Sequence, residues 1–337
     1  MPGSIHPGGE LGHVLSVAYG SVLDKPDLIS VAIIGDGEAE TGPTAAYVVI
    51  PRIFPSSSSS WSRAWHSCKY IDPKESGAVL PILHVNGFKI SERTIYSCMD
   101  DQEIACLFAG YGYEPCFVED LENIDNELQT ALCWAIDAVH RIQLASRTGH
   151  PYRKPRWPMI VLRTPKGWGG PKTSHGRKIE GSFRAHQVPL PRAKHDPSEL
   201  LALQEWLHSY NPRELFPDGQ LSESVKRILP VEDKRKLGQN QTLRAARQPL
   251  SVPEWKHFAI ARGTVNSFIG AGASFFDETL RRNPHSLRLF SADDLGHSTS
   301  ATAFDYALRT FQWDEDVMNQ GGHLIEVMSE HTCEGKT

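Results

Sequence analysis

The chain has 337 residues, 40% of them hydrophobic and 22% charged, with 35 basic against 40 acidic side chains and a formal charge of −5. That length accommodates about two domains, and the composition is ordinary for a globular protein with a packed core. With no basic stretch, nucleic acid is not an expected partner. Met1 to Glu10 has neither a basic n-region nor an apolar run and does not read as a secretory signal. The longest apolar stretches, such as Leu28 to Ile34, are too short to cross a bilayer. The cysteines, at 68, 98, 106, 116, 133 and 333, form no CxxC pair or other zinc spacing. They are expected to be reduced, mostly buried thiols of a cytoplasmic protein.

In chain order, apolar residues recur at helical spacing from Gly8 to Leu23, and Asp24-Lys-Pro26 ends that helix. Leu28 to Ile34 is a nearly continuous β-branched run bounded by Gly35-Asp-Gly37, the pattern of a buried parallel strand. Residues 46–63 (AYVVIPRIFPSSSSSWSR) hold five consecutive serines and two prolines inside this orderly unit and read as an insertion. A second strand, Val79 to Val85, stops at Asn86-Gly87. Helical patterns at Asp100–Ala109 and Ile124–Leu144 then alternate with strands at Cys116–Val118 and Met159–Arg163, which implies a doubly wound α/β domain. Residues 165–191, rich in Gly, Lys, His and Pro, are expected to form an ordered functional loop. The expected division is an α/β domain over 1–191, a linker over 192–254 with one helix capped by Asp196, and an incomplete α/β domain over 255–337. Strands are expected there at Leu287–Phe290 and Leu324–Met328.

Open α/β sheets bind ligands beyond the carboxyl ends of their strands. Two of those ends carry oxygen donors, Asp36 within Gly35-Asp-Gly37 and Asn86 before Gly87. A carboxylate and a carboxamide suit a hard cation such as Mg2+, which takes its other ligands from phosphate and water, and the flanking glycines let backbone approach a diphosphate. Gly-Asp-Gly by itself is equally a turn. The interval from Asp36 to Asn86 is 50 residues, or 32 without the 18 residues of 46–63.

That spacing is close to the one usual in thiamine-diphosphate enzymes. Six segments in order, Ser4–Gly12 (SIHPGGELG), Gly35–Pro43 (GDGEAETGP), Pro81–Ser91 (PILHVNGFKIS), Thr164–Trp168 (TPKGW), Ser182–Pro189 (SFRAHQVP) and Ser329–Gly335 (SEHTCEG), resemble the phosphoketolase family. The resemblance spans almost the whole chain except 46–63 and weakens over 230–300. It implies a thiamine-diphosphate-binding fold, with a diphosphate-binding domain and the start of a pyrimidine-binding domain. It also implies cleavage of xylulose 5-phosphate or fructose 6-phosphate with inorganic phosphate to acetyl phosphate and an aldose phosphate. Magnesium would be held by the side chains of Asp36 and Asn86 and the carbonyl of Phe88. The cofactor would contact Gly8, Gly9, Gly35, Gly37, Lys166 and His186, and in a homodimer Glu330 would reach the aminopyrimidine held by the neighbouring subunit. Glu330, His186 and His6 are the implied catalytic residues. His84, on an apolar strand, is expected to be a satisfied core residue.

The family continues before Met1 and beyond Thr337, so the chain is expected to be a shortened member, and Thr299 stands where the family has a basic phosphate-binding residue. Two alternatives stay open: a transketolase-like transferase, and a family fragment without turnover.

Overall fold

In a computed structural model the chain is described at residues 6, 11–42, 44, 64–232, 249–265, 268–283, 286–292, 312–313, 322–327 and 329–336. The serine-rich stretch 46–63, Gly8, Gly9 and Thr299 lie outside the described residues.

Helix α1 (Val14–Val22) leads into β1 (Ile29–Gly35) and a four-residue helical turn, α2 (Asp36–Ala39). After β2 (Ala78–Val85) the chain makes a small hairpin from β3 (Phe88–Lys89) and β4 (Glu92–Arg93), then runs through α3 (Asp101–Tyr111), β5 (Tyr113–Val118), α4 (Ile124–Arg147) and β6 (Trp157–Arg163). The four long strands form a parallel sheet in the order β1-β2-β6-β5. Asp100 and Glu103 start α3 with a reciprocal capping box, and Gly112 ends it in the left-handed conformation.

The sheet is parallel, as its sequence pattern requires, but β1 is not buried on both faces. Among the described residues it has a strand neighbour on one side only. Val31 and Ile33 are exposed at 50% and 63%, while Ala32 and Ile34 on the opposite face are fully buried. The apolar run therefore serves an edge strand with one covered face, because strand side chains alternate between the two faces. The main core lies on that covered side, where Trp65 packs edge-on against Phe108 and Tyr113, with Leu15, Val22 and Ile104 around them. The Tyr113 hydroxyl donates to the Trp65 carbonyl at 3.0 Å and shares a 2.6 Å hydrogen bond with Tyr19, so α1, β5 and the turn Trp65–Tyr70 are locked together by a polar bridge inside the core.

Residues 165–191 are ordered. They contain a two-residue hairpin, β7 (Thr173–Ser174) and β8 (Arg177–Lys178), joined at His175 and Gly176, both with positive φ. A type I′ turn demands that geometry, and Asn-Gly is its usual signature. Here histidine takes the first place, so the turn is not legible from residue types. Beyond it, α5 (Pro197–Ser209) is capped by Asp196, and α6 (Pro212–Leu215), α7 (Glu223–Ile228), α8 (Phe268–Arg282), β9 (Leu289–Ser291), β10 (Leu324–Glu326) and α9 (Glu330–Lys336) follow. Strands β9 and β10 pair in parallel as a separate two-stranded sheet, while α9 packs against α1.

The thiols depart from expectation. All six are free, but Cys98, Cys106 and Cys133 are exposed, and only Cys68 and Cys333 are buried. Cys106 and Cys133 fall on the outward faces of α3 and α4, a placement set by helical phase rather than by residue type. Among the described residues no helix is long and apolar enough to cross a membrane.

Candidate functional site

The loops after β1 and β2 meet at a buried carboxylate. Asp36 follows Gly35, the last residue of β1, and is only 1% exposed. Its Oδ1 accepts the Gly37 amide at 3.0 Å, and its Oδ2 accepts the Gly87 amide at 2.8 Å and the Thr94 hydroxyl at 2.7 Å. Asn86 ends the next strand's extension, and its Oδ1 accepts the Phe88 amide at 3.2 Å. The Phe88 carbonyl in turn accepts the Lys166 ammonium at 2.7 Å. One cluster thus gathers Asp36, Gly37, Asn86, Gly87, Phe88, Thr94 and Lys166 from three segments that are far apart in sequence. Gly87, at φ +97°, sits in the left-handed region that a side chain would strain, and this turn aims its amide at Asp36.

Further contacts fix the loop after β1. Glu38 accepts the Gly12 amide at 3.0 Å, and the Thr44 hydroxyl donates to the Gly12 carbonyl at 2.8 Å, so the end of the first sequence motif is tied to the Asp36 turn. Glu40 receives both the Lys89 ammonium and the Ile95 amide, which clamps the β3–β4 hairpin over the same turn. On the neighbouring strand His84 Nε2 shares a 2.8 Å hydrogen bond with Thr164 Oγ1. Burial pushes the His84 pKa down, the carboxylate of Asp36 opposes that, and the cation of Lys166 adds to it. The imidazole is therefore neutral near pH 7, a half-buried strand residue with a partner. Burial also lowers the Lys166 pKa, against the pull of Asp36. Beside the cluster, His84, Asn86, Leu128, Thr164, Gly167 and Trp168 help line a cavity of about 330 Å³.

The cluster fits a hard divalent cation. A carboxylate offers about four lone-pair positions; Asp36 uses three on protein donors and keeps one on Oδ1. Asn86 Oδ1 spends one position on a weak intraloop bond. Every donor is oxygen, as magnesium prefers. The Phe88 carbonyl is engaged by the Lys166 ammonium, so a metal that uses it must displace that lysine.

Among the other sequence-derived candidates, Gly35 and Gly37 flank Asp36 directly. His6 and His186 are half-buried, and Glu330 is exposed at the start of α9. Among the described residues no hydrogen bond joins His186 or Glu330 to the Asp36 cluster. Thr94, Glu38 and Glu40 were not identified as functional from sequence. Thr94 falls three residues beyond the Pro81–Ser91 segment and is 0% exposed, while Glu38 and Glu40 lie inside the Gly35–Pro43 segment without a partner that the sequence names. Replacing Thr94 with valine removes one donor from a buried carboxylate. The expected cost is about 1.5–3 kcal/mol of stability and a roughly 10–100-fold loss of metal affinity, read by urea unfolding and by magnesium titration.

Among the described residues one other group of metal-ligand type occurs, His175 with Asp196 and Glu199. His175 Nε2 lies 3.0 Å from Asp196 and 3.5 Å from Glu199. Glu199 is already taken by the Arg192 backbone amide and by two guanidinium N–H groups at 3.1 and 3.2 Å. That arrangement is an ion-pair clasp between the β7–β8 hairpin and α5.

Known proteins resemble this chain over nearly its whole length. Residues 1–247 match the model of the XFP N-terminal domain, and residues 271–337 match that of D-xylulose 5-phosphate/D-fructose 6-phosphate phosphoketolase. A "Probable phosphoketolase" of Schizosaccharomyces pombe is 44% identical over 99% of the chain, and one of Synechococcus elongatus is 39% identical over 99%. The chain spans 38% and 42% of the length of these two relatives. Solved transketolases share the fold. The enzyme from Leishmania mexicana superposes with a TM-score of 0.52 at 15% identity, covering 97% of this chain and 45% of that one. A Pichia stipitis transketolase mutant gives 0.51 at 16%, covering 97% and 46%.

Proposed function

Because the chain belongs to the phosphoketolase family, we propose that its strand-end cluster is a magnesium–diphosphate site for thiamine diphosphate, serving phosphate-dependent cleavage of xylulose 5-phosphate or fructose 6-phosphate. The observation that carries this reading is the convergence of Asp36, Asn86 and the Phe88 carbonyl as oxygen donors at adjacent parallel strand ends. In the proposal those three hold the ion, and Gly8, Gly9, Gly35 and Gly37 leave room for the diphosphate. Thiamine diphosphate, when bound, supplies the nucleophilic carbon and the electron sink for breaking the bond beside a ketose carbonyl.

The protein's own part is positioning and proton handling. Thr94 and the Gly87 amide orient Asp36 so that a lone pair on Oδ1 stays open. With the Phe88 carbonyl in that ligand set, Lys166 would turn its charge away from it and toward an anionic phosphate. His6 and His186 are the proposed proton carriers, since imidazole exchanges protons near neutral pH. Glu330 is proposed to act across a homodimer, hydrogen-bonding to the aminopyrimidine in the partner's site. Its exposure in the protomer is compatible with that role. The cytoplasm is the proposed location.

Acetyl phosphate formation tests the reading. Purified chain with thiamine diphosphate, Mg2+ and xylulose 5-phosphate is assayed with and without inorganic phosphate, and product is trapped as the hydroxamate. Phosphate-dependent product is expected. Two-carbon transfer to an aldose without phosphate demand would mean a transketolase-type reaction, and no product beside an active full-length relative would mean that these 337 residues do not sustain turnover.

A further inference from the structure

A second concave site lies at the other end of the sheet. Lys69 is the last residue but one of the turn Trp65–Tyr70, and Lys154 and Arg156 come just before Trp157, the first residue of β6. With Trp157, Trp313 and the backbone at Gly110, these side chains line a cavity of about 380 Å³. Asp36 and Asn86 lie beyond the carboxyl ends of β1 and β2, whereas Trp157 opens β6 at its amino end. In a parallel sheet those are opposite rims, separated by about 20 Å for a seven-residue strand.

Two features of this cavity point to an anion. Lys69, Lys154 and Arg156 are all cationic, and among the described residues none has a carboxylate partner. Arg156 donates one N–H to the Ala109 carbonyl, which fixes the guanidinium beside the cavity and leaves its other donors uncommitted. The half-buried indole of Trp313 offers flat apolar surface next to the charges.

We propose that this cavity binds a phosphorylated small molecule that carries a flat ring. The phosphate is held by Lys69, Lys154 and Arg156, and the ring lies against Trp313. The site is separate from the Asp36 cluster and does not depend on the function assigned to that cluster.

Phenyl phosphate is the probe. Calorimetric titration of the whole chain, with inorganic phosphate and benzyl alcohol in parallel arms, is expected to show one phenyl phosphate site at least about tenfold tighter than inorganic phosphate. Tryptophan fluorescence should change on binding, and benzyl alcohol alone should give no heat. Lys69→Met with Lys154→Met should weaken binding at least tenfold, as should the single change Lys154→Glu at an exposed position that leaves the core untouched. Asp36→Asn should leave the affinity unchanged. The proposal is overturned if phenyl phosphate does not bind at millimolar concentration, if the lysine variants bind it as the parent does, if inorganic phosphate binds equally well, or if thiamine diphosphate with Mg2+ displaces it.

Discussion

Alanine at position 36 is expected to abolish magnesium-dependent binding of thiamine diphosphate and also to weaken the fold. The carboxylate is 1% exposed and accepts the Gly87 amide and the Thr94 hydroxyl through one oxygen. Without it two buried donors lose their acceptor, at about 1–3 kcal/mol each, so a total loss of about 2–6 kcal/mol is expected in urea unfolding. Asp36→Asn separates the two effects. The carboxamide keeps one acceptor and the side-chain volume, so the stability loss should be smaller, but the charge that attracts the cation is gone. Calorimetric titration of cofactor with and without Mg2+ should show the metal-dependent component lost in both variants. If Asp36→Asn binds cofactor with the parent's metal dependence, Asp36 is a structural acceptor and not a ligand.

The second large effect is expected at Trp65. Its side chain is fully buried, packed edge-on against Phe108 at 4.8 Å and Tyr113 at 6.0 Å between ring centroids. Trp65→Ala should cost about 3–5 kcal/mol, a large share of the stability of a typical domain. The Trp65 carbonyl also anchors the Tyr113–Tyr19 pair that ties α1 into the core. Movement there would reach Gly12 and, through its bond to Glu38, the Asp36 turn. Trp65→Phe should be much milder, because the indole Nε1 has no hydrogen-bond partner to lose. A thermal unfolding series over the parent, phenylalanine and alanine forms should fall in that order. Equal losses for both variants would mean that the indole N–H, and not ring packing, holds the site together.

The parallel sheet and its two chemically marked strand ends were legible because β-branched runs ending in Asp-Gly and Asn-Gly carry their meaning locally. The edge position of β1 was not, since a continuous apolar run does not say how many neighbours the strand will have. Thr94 escaped because its contact depends on the β3–β4 hairpin folding the chain back onto Asp36, 58 residues away in sequence. Glu38 and Glu40 were visible within the motif, but their partners, Gly12, Lys89 and Ile95, are set by tertiary closure. The hydrogen bond from Lys166 to the Phe88 carbonyl is likewise a fact of packing. It turns two residues that the sequence offers separately to cofactor and metal into alternative partners of each other. Glu330 was legible only through resemblance, and the protomer leaves it exposed and away from the Asp36 hydrogen bonds.

Anomalous diffraction at the manganese edge, from crystals of the chain grown with thiamine diphosphate and Mn2+ in place of Mg2+, tests the central claim most directly. The expected result is a strong peak about 2.0–2.2 Å from Asp36 Oδ1, Asn86 Oδ1 and the Phe88 carbonyl, with the Lys166 ammonium moved off that carbonyl. A dominant peak elsewhere, such as between His175, Asp196 and Glu199, or a cofactor bound with no metal at the strand ends, would contradict the assignment.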